Sequence, residues 1–205
     1  MSKTIWIVDE EWDNYQIEKE LIAEALSDHA VRFSNKRNYL IDIDRFGSQV
    51  DALIAQIDIE ISGEILEKLP NCRIISVYGT GYDYIDVAAA KRNNIFVANV
   101  PDYCVHEVSD HIVAFIFHFN KKVASYKDKI KNGLWGIEAV DPMPTRLHGS
   151  TVFVVGFGNI GRAVATKATV LGLKVIAYDP YVSEEEMQPL HAAKVEWETG
   201  FSSAD

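Results

Sequence analysis

The sequence predicts an α/β protein with two domains, at about 1–101 and 102–205, each built on a parallel sheet. Three observations carry that expectation. Short apolar runs alternate with helically spaced segments along the N-terminal part. The alternation breaks at Pro101. Later, the β-branched run Val152-Phe153-Val154-Val155 leads straight into Gly156-Phe157-Gly158-Asn159-Ile160-Gly161.

The elements follow in order. Ile5-Trp6-Ile7-Val8 reads as a strand. Residues 12–26 place Tyr15, Ile17, Leu21, Ile22, Ala25 and Leu26 at helical spacing. Residues 52–55 and 73–78 read as further buried strands. Between them Ser62 is positioned to cap a short helix through Leu69, stopped by Pro70. Asp86 caps a helix over 87–93, and Asn94 suits a left-handed stop before a strand at 96–98. Beyond Pro101 one long helix is expected from about Val105 past Val123. A polar stretch with Gly133, Gly136, Pro142, Pro144 and Gly149 separates it from the glycine-motif strand. A helical pattern over 162–171 and a second strand over 174–178 follow, ending at Asp179. Ser183 and Glu186 form a capping box for the next helix. A short strand near 195–197 and the start of another helix complete the pattern, with no solenoid repeat or low-complexity tract.

Strand, glycine turn, helix, second strand and terminal Asp form the first βαβ unit of a dinucleotide-binding domain. Gly156 lets the backbone turn sharply as the strand ends. Gly158 has no side chain to hold a pyrophosphate away. Gly161 lets helix and strand pack closely. Amides at the helix start, aided by the helix dipole, then face the phosphates. Asp179 lies 23 residues after Gly156, close to the spacing of a ribose-binding acid. Its charge would repel the extra phosphate of NADP, so NAD is the expected cofactor. A complete domain of this type has six strands, and the chain stops 44 residues after Gly161. The expectation is therefore a partial domain without the nicotinamide-binding half.

Composition narrows the classes. The 205 residues are 48% hydrophobic and 24% charged, with a net charge of −10. That balance fits a soluble globular protein, and without a Lys/Arg-rich stretch it argues against duplex DNA as a partner. The most apolar helical stretch, 112–119, is too short to span a bilayer, and no signal peptide is read ahead of Ile5. Cys72 and Cys104 make no disulfide framework, and a cytoplasmic protein is expected. No metal site is expected either. His106 and His111 are spaced by five, which turns a helix by about 140° and points the rings apart. His111 and His118 share a face about 10 Å apart, so packed or solvent-facing histidines are the better reading.

The chain resembles the D-isomer-specific 2-hydroxyacid dehydrogenases. The likeness runs through most of the sequence and is strongest from Ile74 to Asp179. Ile75-Ser76-Val77-Tyr78-Gly79-Thr80-Gly81-Tyr82-Asp83-Tyr84-Ile85-Asp86 looks like the substrate loop and the Asp-x-Ile-Asp signature after it. Val97-Ala98-Asn99-Val100-Pro101 is similar to the first crossing between domains. Cys104-Val105-His106-Glu107-Val108-Ser109-Asp110-His111 resembles the start of the interdomain helix, and Leu147-His148-Gly149-Ser150-Thr151 the entry to the cofactor domain.

The resemblance implies a flavodoxin-like N-terminal substrate domain followed by a partial Rossmann NAD-binding domain. It implies that amides around Tyr78 and Gly79 hold the carboxylate of a small 2-hydroxy or 2-keto acid. Thr80 and Cys104 match cofactor-contacting positions, Asn159 and Ile160 would lie against the pyrophosphate, and Asp179 would hold the ribose. Relatives acting on phosphoglycerate often carry an Arg where this chain has Val77. The family's catalytic Arg, Glu and His fall downstream of the residues here, so no catalytic residue is carried over. Little turnover is expected of the chain as it stands, read as the N-terminal portion of a longer enzyme. A homodimer is implied, paired through the long helix and the segment with Trp135. Two other readings remain open: an NAD-sensing binding module like the family's corepressors, and an inactive relic.

Overall fold

The computed structural model describes residues 2–12 and 14–205. It divides into two compact units, Met1–Tyr103 and Cys104–Asp205. The first holds β1 (Lys3–Val8), α1 (Gln16–Ala25), β2 (His29–Ser34), α2 (Tyr39–Phe46), β3 (Ala52–Ala55), α3 (Gly63–Glu67), β4 (Ile74–Val77), α4 (Val87–Arg92) and β5 (Phe96–Ala98). The second holds α5 (Val105–Asn120), α6 (Val123–Lys131), β6 (Thr151–Val155), α7 (Asn159–Val170), β7 (Lys174–Tyr178), α8 (Glu184–Met187), β8 (Ala192–Lys194) and α9 (Trp197–Ser203).

The first unit is a five-stranded parallel sheet in the order β2-β1-β3-β4-β5. That is the flavodoxin-like order, and its direction of winding reverses beside β1. Strands buried on both faces must be apolar throughout, and Trp6, Ile7 and Val8 are all almost fully buried. Trp6 also carries a polar edge inward. Its indole N–H donates to Ser34 Oγ at 2.9 Å, and that hydroxyl donates to Asp42 Oδ2 at 2.7 Å. The second unit has a three-stranded parallel sheet, β6-β7-β8, with the strand–helix–strand winding of a Rossmann-like sheet. Its core runs through Phe157, Val164, Ala168, Val175 and Met187. Lys167 pins α7 to α5, donating to the buried Ser109 Oγ at 2.7 Å and to Asp110 Oδ1 at 2.6 Å. Among the described residues no helix is long and apolar enough to cross a membrane.

Several expectations shift. β2 and α2 have no counterpart in the sequence reading; β2 is an edge strand with mixed burial, so it carries no apolar run. The first helix begins at Gln16, not Trp12. Ser62 sits at the N-cap of α3 without a side-chain cap bond, and the helix proper ends at Glu67. The long helix is two: Lys122 takes a left-handed conformation (φ 54°) between α5 and α6. The last strand is 192–194, because its inward residue is the small Ala192, whereas Trp197 opens α9. Asp86 does cap α4, accepting from the Ala89 N–H at 2.8 Å, and Asn94 is left-handed at φ 55°. The Ser183–Glu186 capping box is present.

Candidate functional site

Each unit carries its own candidate site at the C-terminal ends of its parallel strands, where ligands of such sheets collect. In the second unit the site is the turn between β6 and α7. Gly156 takes φ +87°, a conformation that side chains oppose, and its N–H donates to Tyr178 O at 2.8 Å. The turn therefore bends sharply while staying tied to β7. At Gly161 a Cβ would lie 2.2 Å from Gly156 O, so only glycine lets α7 start this close to the strand. Gly158 differs. A Cβ there would meet nothing within 4 Å, so its bareness leaves open space in front of the helix. Gly158 is the N-cap and offers no capping side chain. Asn159 is the first helical residue, and Ile160 beside it is about one-third exposed. The helix begins there rather than at Arg162, which brings Asn159 and Ile160 into its first turn, where amides lack intrahelical acceptors.

Asp179 closes the site. Its Oδ2 accepts the Phe157 N–H at 2.7 Å and its Oδ1 accepts the Tyr181 N–H at 2.8 Å. The Phe157 and Tyr181 amides hold its carboxyl below the ordinary carboxylate range. The acid at the end of β7 is thus fixed against the glycine turn. Arg162 braces the other side, with Nε donating to Phe157 O at 3.1 Å and Nη2 to Glu186 Oε1 at 3.3 Å. Cys104 sits at the N-cap of α5, partly exposed and without a side-chain cap bond.

In the first unit the site is the loop after β4. The Tyr78 N–H donates to Ala55 O at 3.0 Å, so that amide continues the sheet and is not free for a ligand. Of the amides expected around Tyr78 and Gly79, those left for a ligand therefore begin at Gly79. Gly79, Thr80 and Gly81 carry the next amides, and none of these has a protein acceptor among the described residues. Gly79 is buried, and a Cβ there would lie 2.7 Å from Ile57 Cγ2. The segment 99–100 holds the loop: Val100 N–H donates to Gly79 O at 2.9 Å, Thr80 Oγ1 donates to Val100 O at 3.0 Å, and Asn99 Nδ2 donates to Thr80 O at 2.7 Å. The Tyr78 ring contributes instead of its amide. Its hydroxyl donates to Glu18 Oε1 at 2.9 Å, and burial together with that carboxylate pushes the phenol pKa far up.

A cavity of about 700 Å³ opens in front of this loop, lined by residues that follow β1, β3 and β4. Glu11, Trp12, Glu18, Gln56 and Ile57 belong to it and were not singled out in the sequence. The available signal was position alone, since Trp12 and Gln56 stand just past strand ends on either side of the point where the sheet reverses.

Residues 15–195 match the family described as D-isomer specific 2-hydroxyacid dehydrogenase, catalytic domain. The chain is 28% identical over 196 residues to D-3-phosphoglycerate dehydrogenase of Archaeoglobus fulgidus, covering 91% of this chain and 37% of that protein. It is 33% identical over 134 residues to glyoxylate reductase of Pyrococcus furiosus, covering 63% and 40%. Among solved structures, an acyclic imino acid reductase in complex with NADPH and D-Arg superposes with a TM-score of 0.78 at 25% identity, over 99% of this chain and 63% of that one. D-lactate dehydrogenase from Aquifex aeolicus, complexed with NAD and lactic acid, shares the fold with a TM-score of 0.81 at 21% identity, over 98% and 58%. The chain thus spans about two-fifths of the length of these two curated relatives.

Proposed function

The chain belongs to the D-isomer specific 2-hydroxyacid dehydrogenase family, and we propose that it serves hydride transfer between NAD(H) and a small 2-hydroxy or 2-keto acid. The observation that carries this reading is the turn from β6 into α7. A backbone reversed at Gly156, packed tight at Gly161 and open at Gly158 suits a pyrophosphate resting on amides from Asn159 onward. Asn159 and Ile160 are the residues proposed to lie against it.

Asp179 is proposed to hold the adenosine ribose. Its oxygens accept the Phe157 and Tyr181 amides, and a carboxylate has about four acceptor positions, which leaves room for a ribose hydroxyl. Its charge would oppose a 2′-phosphate, which favours NAD over NADP. When bound, the nicotinamide ring supplies the site that takes or gives hydride. In the first unit, the amides of Gly79, Thr80 and Gly81 are proposed to hold the substrate carboxylate, with the Tyr78 ring beside them. Thr80 and Cys104 are proposed as further cofactor contacts. A homodimer belongs to the same reading, supported by exposed Phe115 and Phe119 on α5 and by Trp135, which is 78% exposed.

Calorimetric titration of the full chain tests the proposal. NAD should bind at least about tenfold more tightly than NADP, a difference of about 1.4 kcal/mol. Equal affinities, or no binding of either dinucleotide, would contradict it.

A further inference from the structure

The cavity in front of the Gly79 loop differs in character at its two ends. Its floor and sides are largely apolar, formed by Trp12, Ile54, Ile57, Val77 and Val100. Carboxylates stand on the side of the β1–α1 segment: Glu11 and Glu18 line the cavity, and Asp9 lies behind them. These acids are held in place. Gln56, 3% exposed, donates from Nε2 to Glu11 Oε2 at 3.0 Å. Tyr15 Oη donates to Asp9 Oδ2 at 3.0 Å, and Tyr78 Oη donates to Glu18 Oε1 at 2.9 Å. No lysine or arginine lines the cavity among the described residues.

We propose that this cavity selects 2-keto acids with a bulky, uncharged apolar side chain, branched or aromatic, and rejects phosphorylated ones. The inference rests on the reading of Gly79, Thr80 and Gly81 as the carboxylate seat. With the carboxylate there, the substituent on C2 extends over Ile57 and Trp12. A two-carbon acid would leave most of the roughly 700 Å³ to water and gain nothing from the apolar walls. Burying as few as two methylenes is worth about tenfold in affinity. A phosphate placed there would meet Glu11 and Glu18 with no compensating cation. Like-charge juxtaposition is a repulsive element that discriminates against such a ligand.

The test is ligand-observed NMR titration of the full chain with four acids: 4-methyl-2-oxopentanoate, phenylpyruvate, glyoxylate and 3-phosphooxypyruvate. The first two should bind at least about tenfold more tightly than glyoxylate, with the phosphorylated acid weakest. Ile57→Ala should reduce the advantage of the branched and aromatic acids several-fold. Glu11→Lys, at an exposed position, should raise affinity for the phosphorylated acid by about tenfold and change phenylpyruvate little. Glyoxylate or the phosphorylated acid binding as tightly as phenylpyruvate would overturn the side-chain class while leaving the carboxylate seat intact. If none of the four acids bound while NAD did, the seat itself would be refuted, and this selection with it.

Discussion

The two units use the same strand–helix–strand grammar and build their candidate sites from different materials. In the second unit the site is backbone: a reversed glycine, a bare N-cap, helix amides and one carboxylate tied to the turn. In the first unit it is largely side chains gathered from three strand ends, around one short run of amides. The sheets differ in the same sense. β1 has neighbours on both sides, whereas β6 is an edge strand whose Val155 is 53% exposed. At the free edge of β6, Asp205 donates its N–H to Thr151 O at 3.0 Å and accepts the Thr151 N–H at 2.8 Å. A backbone site tolerates few residue types and is therefore easy to read. A side-chain site can be built in many ways and can change its ligand without changing its fold.

The largest expected effect contrasts the two leading strands. Trp6→Ala should cost about 3–5 kcal/mol, since it empties a fully enclosed position and strands the Ser34–Asp42 hydrogen bonds. Phe153→Ala, on the half-covered edge strand, should cost about half as much. Urea denaturation of both variants compares them, and equal losses would break the contrast between enclosed and edge strands.

Next comes the contrast between glycines. Gly161→Ala should destabilise by about 1–3 kcal/mol, because the added methyl meets a carbonyl oxygen rather than a movable side chain. Gly158→Ala should leave stability within about 0.5 kcal/mol, having open space and a negative φ, yet weaken NAD binding at least about tenfold. Paired denaturation and calorimetry would show whether stability and binding separate as expected.

The smallest effect concerns acid. Asp179 has a depressed pKa in the folded state, so its contribution to stability is present at neutral pH. That contribution is lost as the pH falls below its ordinary value of 3.8 and through the folded-state pKa. Asp179→Asn should therefore be less stable at pH 7 and should lack this component of acid sensitivity. Stability curves measured from pH 7 to pH 2 check the sign.

This division explains what was legible. The glycine turn, Asp179, the Asp86 cap and the Ser183 capping box could be read because each position admits few residues for a stated steric or hydrogen-bonding reason. β3 could be read because a central strand is a short continuous apolar run. The edge strand β2 could not, as its alternating exposure leaves no such run. The break at Lys122 carries neither Gly nor Pro, so nothing local announces it. The sequence places candidate donors around Tyr78 and Gly79 without telling them apart; only the ladder to β3 shows that the Tyr78 amide is taken and that its ring faces Glu18. Gln56 offered only its position past the end of β3, and Glu11 and Glu18 offered less, because only the sheet brings residues so distant in sequence to one rim.

Nitrogen-15 NMR titration of the full chain with NAD tests the central claim most directly. The account expects the largest amide shifts at Phe157, Gly158, Asn159, Ile160 and Gly161, with further shifts at Asp179 and Tyr181. Saturable binding that leaves those amides unmoved, or no saturable shifts anywhere in the chain, would contradict it.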